Sequence, residues 1–150
     1  MKKLLYLFLV LPLVFSSCKK EEGCTDSQAS NYNADAEEDD GSCLYSVAGF
    51  WTLDDFILSG TSLFNTNIIT GIWITSGTYN VYDTGLYYSN VNYNGAPSVS
   101  SNGSWEVIGT STLRLDGEQD FTITKLNGSQ MELYDSDLDN MGSATLKLSK

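Results

Sequence analysis

The chain has 150 residues, and because one domain typically takes about 100–200 residues, one modest domain is expected. Hydrophobic residues make up 41% and charged residues 18% of the chain, which is typical of a globular protein and not of a disordered one. There is no histidine, which excludes Ser-His-Asp and Cys-His catalysis and every His-ligated metal site. The formal net charge of −11 argues against binding to a phosphate backbone, so no nucleic-acid partner is expected.

The N-terminal segment has the pattern of an export signal. Residues 1–3 are basic at two positions and residues 4–15 are almost wholly apolar. That run is shorter than the roughly 20 residues needed to span a bilayer, and its N-terminal position is typical of a signal peptide. The Ser-Ser pair before Cys18 resembles the lipobox of bacterial lipoproteins, which implies a signal peptide at 1–17 and a lipidated tether at 18–23. An ordinary secretory peptide with an incidental cysteine is the alternative.

The lipobox resemblance also implies a location. The cysteine of such a protein carries a diacyl group and an amide-linked chain, and stable anchoring needs more than one chain. The lipid bilayer is then a partner through acylated Cys18, and the expected location is the outer membrane. Residues 19–22 (Lys-Lys-Glu-Glu) resemble the surface-export signal of some Gram-negative bacteria, which implies exposure at the cell surface, and a solvated linker is the alternative.

The two remaining cysteines form an even pair. If Cys18 is acylated, Cys24 and Cys43 are expected to form a disulfide in an oxidising compartment. A closed loop of about 20 residues gains roughly 3 kcal/mol in the chain-entropy model. The segment needs this help because it contains one aromatic residue and no large aliphatic residue. We therefore predict a disulfide-closed acidic module at 24–45.

This module also matches a motif. Cys24-Thr-Asp, Asn31-Tyr-Asn and Asp39-Asp-Gly-Ser-Cys43 resemble a short two-cysteine repeat of Gram-negative surface proteins, which implies a small disulfide-bonded module of the kind found beside adhesion or binding domains. Carboxylates are the ligands that Ca²⁺ prefers, but the spacing here and in the later acidic turn at 135–140 departs from the EF-hand pattern. A solvated spacer and an acidic turn are the favoured interpretations, and no cofactor is expected. The calcium candidates are Asp26, Asp39, Asp40, Asp135, Asp137 and Asp139.

From residue 46 onward, apolar and polar residues alternate, which predicts β-strands. Asn127-Gly128 between two such runs is a hairpin signal. Residues 89–104 are rich in Ser, Asn and Gly and are expected to form a long loop over the mouth of the fold. Eight or nine strands in sequence predict an all-β, up-and-down antiparallel barrel at 46–150, because closure removes the sheet edges. The predicted strands are Phe50–Leu58, Ile68–Thr75, Thr78–Tyr82, Leu86–Tyr93, Trp105–Ile108, Leu113–Leu115, Phe121–Thr124, Met131–Tyr134 and Leu146–Ser149.

The start of this domain carries a second resemblance. Gly49-Phe50-Trp51 matches the Gly-x-Trp of the first lipocalin strand, and residues 48–150 resemble a bacterial lipocalin-like domain. The resemblance implies that Trp51, preceded by Gly49, plugs the closed end of the barrel. It also implies that a basic residue of the last strand covers the indole, and Lys147 is the candidate.

An eight-stranded barrel has room for one small ligand. Tyrosine offers an apolar ring and a polar tip, which suits a glycan or an amphipathic ligand, and ordinary core packing is the alternative. Candidate lining residues are Trp73, Tyr79, Tyr82, Tyr87, Tyr88 and Tyr93. We expect no enzymatic activity, because neighbouring strand carboxylates such as Asp54 and Asp55 point to opposite faces and cannot flank one substrate. The expected function is binding of a small hydrophobic or glycan ligand inside the barrel, and the alternative that stays open is a structural or protein-interaction role with a filled barrel.

Overall fold

The structure is a computed structural model that describes residues 19–64 and 73–150. It divides into two compact units. The first comprises Asn31–Cys43 and the described part of Met1–Ser27, and the second comprises Gln28–Ser30 and Leu44–Lys150. Within these described ranges, no helix is long and apolar enough to cross a membrane.

The first unit is small and is closed by the predicted disulfide. Its two short strands, β1 (Glu22–Gly23) and β2 (Glu38–Asp39), pair in parallel. The Cys24–Cys43 bond joins Cα atoms 4.8 Å apart, and Cys24 is almost fully buried. With no large aliphatic side chain in the segment, the disulfide constrains residues that cannot build a hydrophobic core of their own.

The second unit is a closed antiparallel barrel of eight strands, and the predicted fold class is confirmed. Successive strands pair with one another, and the last strand returns to pair with the first. The two-residue β4 is an additional pairing on β3. The strands are β3 (Gly49–Leu58), β4 (Thr61–Ser62), β5 (Trp73–Tyr82), β6 (Leu86–Asn94), β7 (Ala96–Ile108), β8 (Thr112–Leu115), β9 (Gln119–Leu126), β10 (Gln130–Asp135) and β11 (Ala144–Ser149).

Strand β3 closes the barrel because it pairs on both of its edges. Its first four residues pair with β5, from Gly49 opposite Val81 to Thr52 opposite Thr78. Most of its length pairs with β11, and a bulge interrupts that register next to Lys147. The predicted Asn127-Gly128 hairpin joins β9 and β10, and the amide of Asn127 donates to the carbonyl of Gln130 at 3.0 Å.

The core follows the period-2 alternation of the strands. In β11, Ala144, Leu146 and Leu148 are buried while the residues between them are half-exposed, as expected when one face of a strand packs inward. Each large apolar side chain buried in this way contributes roughly 1.5–3 kcal/mol. The buried cluster consists of Val47, Trp51, Leu53, Ile74, Leu113, Phe121, Met131, Leu133, Leu146 and Leu148.

Two expectations about the middle of the chain are wrong. A single strand, Trp73–Tyr82, covers the end of the predicted strand Ile68–Thr75 and the whole of the predicted strand Thr78–Tyr82. Residues 68–72 lie outside the described part. The predicted loop at 89–104 is strand, formed by the end of β6 and most of β7 around a tight turn at Gly95 (φ 77°). Most of this part of β7 is exposed on both faces, so its sequence has no apolar alternation by which a strand could be recognised.

Candidate functional site

One end of the barrel is built around Trp51. Its side chain is 0% exposed, and its Nε1 donates a 2.8 Å hydrogen bond to the carbonyl of Val47. The Nζ of Lys150 lies 4.5 Å from the centroid of the indole ring, within the range of a cation–π interaction. Gly49 is needed beside them, because its φ is 146° and a Cβ there would lie 2.9 Å from the Cε of Lys150.

The base that covers the indole is therefore Lys150, and the expectation for Lys147 is wrong. Leu146 and Leu148 point into the barrel, so strand alternation turns Lys147 outward. There it lies opposite Asp55 of β3 and Glu132 of β10. Lys150 follows the end of β11, and strand alternation gives no signal for a residue beyond the strand.

The interior of the barrel is nearly filled. Its cavity measures about 40 Å³ and has an apolar lining. A water needs roughly 10–15 Å³ on this measure, whereas ligand pockets typically have about 300–1,000 Å³. The interior thus has space for a few waters and not for a ligand. The lining residues are Val47, Tyr79, Val81, Tyr87, Trp105, Leu113, Leu115, Phe121, Met131, Leu133, Leu146 and Leu148.

Of the six aromatic candidates, Tyr79 and Tyr87 line this cavity. Burial, and then the neighbouring Tyr93 and Tyr87, raise the pKa of Tyr79 to about 12. Burial also raises the pKa of Tyr87, whose hydroxyl donates to Asp116 Oδ2 at 3.0 Å. These two rings are part of the packing of the barrel.

Asp116 holds Tyr87 in place through a compact polar arrangement. Its Oδ1 accepts a 2.8 Å hydrogen bond from the amide of Ser104. A Cβ at Gly103 would lie 1.9 Å from that same oxygen, so only glycine admits the carboxylate here. The contact is structural, because both oxygens of Asp116 are already paired within the barrel.

Trp73 and Tyr93 lie elsewhere, in an apolar groove of about 300 Å³ at the opposite end from Trp51. Tyr93 is half-buried and packs against the core. The other described residues of this groove are Phe56, Leu58, Leu63, Ile74 and Met141.

The last two candidates, Tyr82 and Tyr88, point outward. In the strand register Phe50 lies opposite Asn80, Asn80 opposite Tyr88, and Tyr88 opposite Asn102. One row further along, Tyr82 lies opposite Leu86. We call these six residues the aromatic face: Phe50, Asn80, Tyr82, Leu86, Tyr88 and Asn102.

The apolar members of the aromatic face are exposed to solvent. The exposed fractions are 55% for Phe50, 51% for Tyr82, 55% for Leu86 and 40% for Tyr88. A shallow groove beside Tyr82, Leu86, Tyr88 and Asn102 measures about 380 Å³. Phe50 was missed as a site residue, although alternation signals it: with Trp51 inward, its neighbour must point outward.

The asparagines of this sheet fall into two groups. Asn90 Nδ2 donates to Ser100 Oγ at 2.8 Å, and Asn92 Nδ2 donates to Ser76 Oγ at 2.9 Å. In contrast, the side chains of Asn80 and Asn102 have no hydrogen-bond partner among the described residues. Within the described chain, Asn80 and Asn102, which lie in the row with Phe50 and Tyr88, are thus unpaired, as is Asn94 at the far end of β6.

Charge is distributed unevenly around the barrel. The chain has 8 basic and 19 acidic residues, but from Trp73 to Trp105 the sequence contains one charged residue, Asp83, which lies in the turn after β5. Strands β8 and β9 instead carry Arg114, whose guanidinium donates to both oxygens of Asp120 at 2.6 and 2.7 Å. This pairing lowers the pKa of Asp120.

Four of the six calcium candidates accept local hydrogen bonds, and the candidates do not form one cluster. Asp39 and Asp40 accept bonds from backbone amides two residues ahead, at 3.0 and 2.9 Å. Asp135 accepts from the amide of Asp137 and from the side chain of Gln119, and Asp137 accepts from the amide of Gly142. Within residues 19–64 and 73–150, no three acidic or cysteine side chains are arranged to hold a metal ion. Asp26 and Asp139 lie in separate units.

The fold and these sites define a closed, all-β antiparallel barrel with a nearly filled interior and one uncharged aromatic face on its outer surface. No protein-family model matches the chain, and no curated protein or solved structure shows significant similarity to it.

Proposed function

We propose that the protein is a non-enzymatic lipoprotein of the outer membrane, whose filled barrel is a rigid scaffold that presents a binding surface on its outside. Of the two functions that the sequence left open, this is the filled-barrel alternative. The lipid anchor at Cys18 lies outside the described residues, and its support is the signal-peptide pattern and the Ser-Ser-Cys ending.

The cavity volume is the observation that carries this proposal. A ligand inside the barrel would have to displace side chains such as Phe121, Met131 and Leu133, which are at most 5% exposed. Protein interiors are packed as densely as organic crystals, so such a displacement would disrupt the core. A barrel of this kind presents its ligand-binding groups on its surface.

Two features support the absence of enzymatic activity. The chain has no histidine, which excludes the commonest general base. Asp54 and Asp55, the one carboxylate pair considered for glycosidase chemistry, accept structural hydrogen bonds from Ser149 and Ser62 respectively. Both carboxylates thus have roles in holding β3 to its neighbours.

A hydrophobic fluorescent probe, N-phenyl-1-naphthylamine, tests the filled interior. The wild-type protein is expected to show no saturable enhancement of probe fluorescence. Leu133→Ala, which enlarges the cavity from inside, is the matched variant and is expected to bind the probe. Saturable binding to the wild type that persists unchanged in the Tyr82→Ala/Tyr88→Ala double variant, or a small molecule that still co-purifies with that variant in native mass spectrometry, would place the ligand inside and overturn the proposal.

The anchor has its own test. Cys18→Ser should abolish labelling by radioactive palmitate, and the protein should be retained uncleaved or released in soluble form. Normal labelling of this variant would contradict the lipoprotein assignment and leave the properties of the barrel unaffected.

A further inference from the structure

We infer that the aromatic face (Phe50, Asn80, Tyr82, Leu86, Tyr88 and Asn102) is a binding site for a neutral saccharide. The inference deepens the proposed function and rests on it in one respect, the location of the ligand outside the barrel. Three properties of the face point to this ligand class: its exposed rings, its unpaired amides and its lack of charge.

The rings provide the first argument. Phe50 and Tyr82 lie diagonally across β3 and β5, and Tyr82 and Tyr88 lie diagonally across β5 and β6. Diagonal neighbours in an antiparallel sheet are about 7–8 Å apart, within reach of large side chains. The three rings therefore form a continuous platform. Pyranose rings have an apolar face of C–H groups that packs on such a platform, and the tyrosine hydroxyls remain free to pair with sugar hydroxyls.

The amides provide the second argument. Asn80 lies between Phe50 and Tyr88 in the register, and Asn102 follows Tyr88. Each asparagine side chain offers two donors and an acceptor, and within the described chain neither is used. A sugar carries donor and acceptor hydroxyls around an apolar face, so it can contact the rings and satisfy the amides together.

The charge distribution provides the third argument. The chain has a net charge of −11, yet the strands that form most of the face contribute no charged side chain to it. An anionic polysaccharide would meet no cation here and would be repelled by the rest of the molecule, while a cationic partner would find no carboxylate on the face. The complementary ligand is uncharged.

A second copy of this chain is a less suitable occupant. Stable protein interfaces bury about 800 Å² on each partner around a well-packed, largely apolar centre. Packing this face against an identical apolar surface would bury Asn80 and Asn102 among rings, and buried unpaired amides oppose association. A ligand with hydroxyl groups removes that penalty.

Affinity electrophoresis of the full-length, detergent-extracted protein tests the inference. Native gels would contain a soluble β-glucan, xyloglucan, galactomannan or starch, with alginate as the anionic comparison. We expect at least one neutral polysaccharide to retard the protein and alginate to leave its mobility unchanged. Tyr88→Ala and Tyr82→Ala should each weaken retardation about tenfold, and Asn102→Ala about threefold to tenfold, which corresponds to one hydrogen bond.

Two controls isolate the face. Asn90→Ala removes an asparagine from the same sheet surface, but one already paired with Ser100. Tyr134→Ala removes an exposed tyrosine of β10, which lies in a different part of the barrel. Both variants should bind like the wild type, and circular dichroism should show that all variants are folded.

The outcomes separate this inference from the proposed function. Failure of every neutral polysaccharide to bind, equal binding of alginate, or unchanged binding by the Tyr82→Ala/Tyr88→Ala double variant would overturn the saccharide site and leave the filled barrel standing. A concentration-dependent dimer that Tyr88→Ala dissociates, without saccharide binding, would assign the face to a second copy. Saccharide binding that the Tyr82→Ala/Tyr88→Ala double variant leaves unchanged and that Leu133→Ala strengthens would place the ligand inside and overturn both.

Discussion

Trp51 and Phe50 are adjacent in the chain and lie on opposite sides of the same strand. Trp51 is fully buried, is held by a hydrogen bond and is covered by Lys150. Phe50 is 55% exposed and belongs to a surface with unpaired amides. The inner side of β3 and β5 accounts for stability, whereas nothing about stability requires three exposed aromatic rings on the outer side. The difference separates the residues that maintain the barrel from those available to a ligand.

The outer surface itself differs from one part of the barrel to another. Strands β8 to β11 present the usual mixture of charges, including Arg114, Asp120, Glu132 and Lys147. Charged residues on an exposed sheet surface favour solubility and oppose unwanted association. The part of the surface formed by β5 to β7 lacks these charges and is therefore more prone to association. An exposed, uncharged aromatic surface of this kind is typical of a binding site.

The largest expected effect contrasts the two neighbours directly. Trp51→Ala should reduce the free energy of unfolding by about 3–5 kcal/mol, because it removes a fully buried ring and leaves a cavity. A domain of this size is stable by only about 5–15 kcal/mol, so the midpoint should fall steeply. Phe50→Ala should change stability by at most about 0.5 kcal/mol. Guanidinium unfolding followed by circular dichroism measures both, and equal small losses would show that Trp51 does not plug the barrel.

A second contrast uses two tyrosines at alkaline pH. Because the pKa of Tyr79 is about 12 in the folded chain, against an ordinary value of 10.0, the folded state binds this proton more tightly than the unfolded state does. The resulting stabilisation is complete below pH 10 and is lost as the pH rises through 12, a difference of about 2–3 kcal/mol. Tyr79→Phe should flatten this loss, and Tyr88→Phe serves as the control for removing a hydroxyl from an exposed ring. Unfolding free energies measured from pH 8 to pH 12 test this prediction. Parallel curves for wild type and Tyr79→Phe would show that Tyr79 does not cause the loss of stability.

The third contrast concerns two lysines near the end of the chain. Lys150→Ala removes the cation from the indole of Trp51 and should cost about 0.5–1 kcal/mol. Lys147→Ala removes an outward-facing lysine and should cost less, since surface substitutions usually change stability little. Urea unfolding monitored by tryptophan fluorescence measures the order. A larger loss for Lys147→Ala than for Lys150→Ala would mean that the contact between Lys150 and the indole of Trp51 does not stabilise the barrel.

The smallest effect is expected from the first unit. Cys24 and Cys43 should resist alkylation until a reductant is added, and their reduction should leave the melting temperature of the barrel nearly unchanged. The disulfide constrains its own acidic segment, while the buried cluster of the barrel lies wholly within the second unit. Alkylation with mass spectrometry and calorimetry measure both quantities. A drop of many degrees on reduction would contradict the independence of the two units.

The sequence predicts the regions where one face of a strand is buried. Strands β3 and β8 to β11 alternate apolar and polar residues, so their positions and the closed barrel follow from the period-2 pattern. Strand β6 is predicted as Leu86–Tyr93, but most of β7 is predicted as a loop, because residues such as Ser98, Ser100 and Asn102 face solvent and carry no periodic signal. Of the six aromatic candidates, two line the interior, two lie in the groove at the end opposite Trp51 and two point outward. Aromatic content alone does not reveal the direction of a side chain. Register, not composition, shows which rings share a surface.

The closure of the barrel by β3 and β11 also determines when the fold can form. The hydroxyl of Ser149 donates to Asp54 across 95 residues of sequence, and closing a loop of that length costs about 4 kcal/mol of chain entropy before any contact repays it. As the chain is synthesised, β3 emerges before β11, and the edge of β3 that pairs with β11 stays unpaired until the last strand follows. Pairings over such long separations form on a scale of milliseconds to seconds. The period of greatest vulnerability to aggregation therefore falls before β11 joins β3, when assistance from a chaperone would have the most effect.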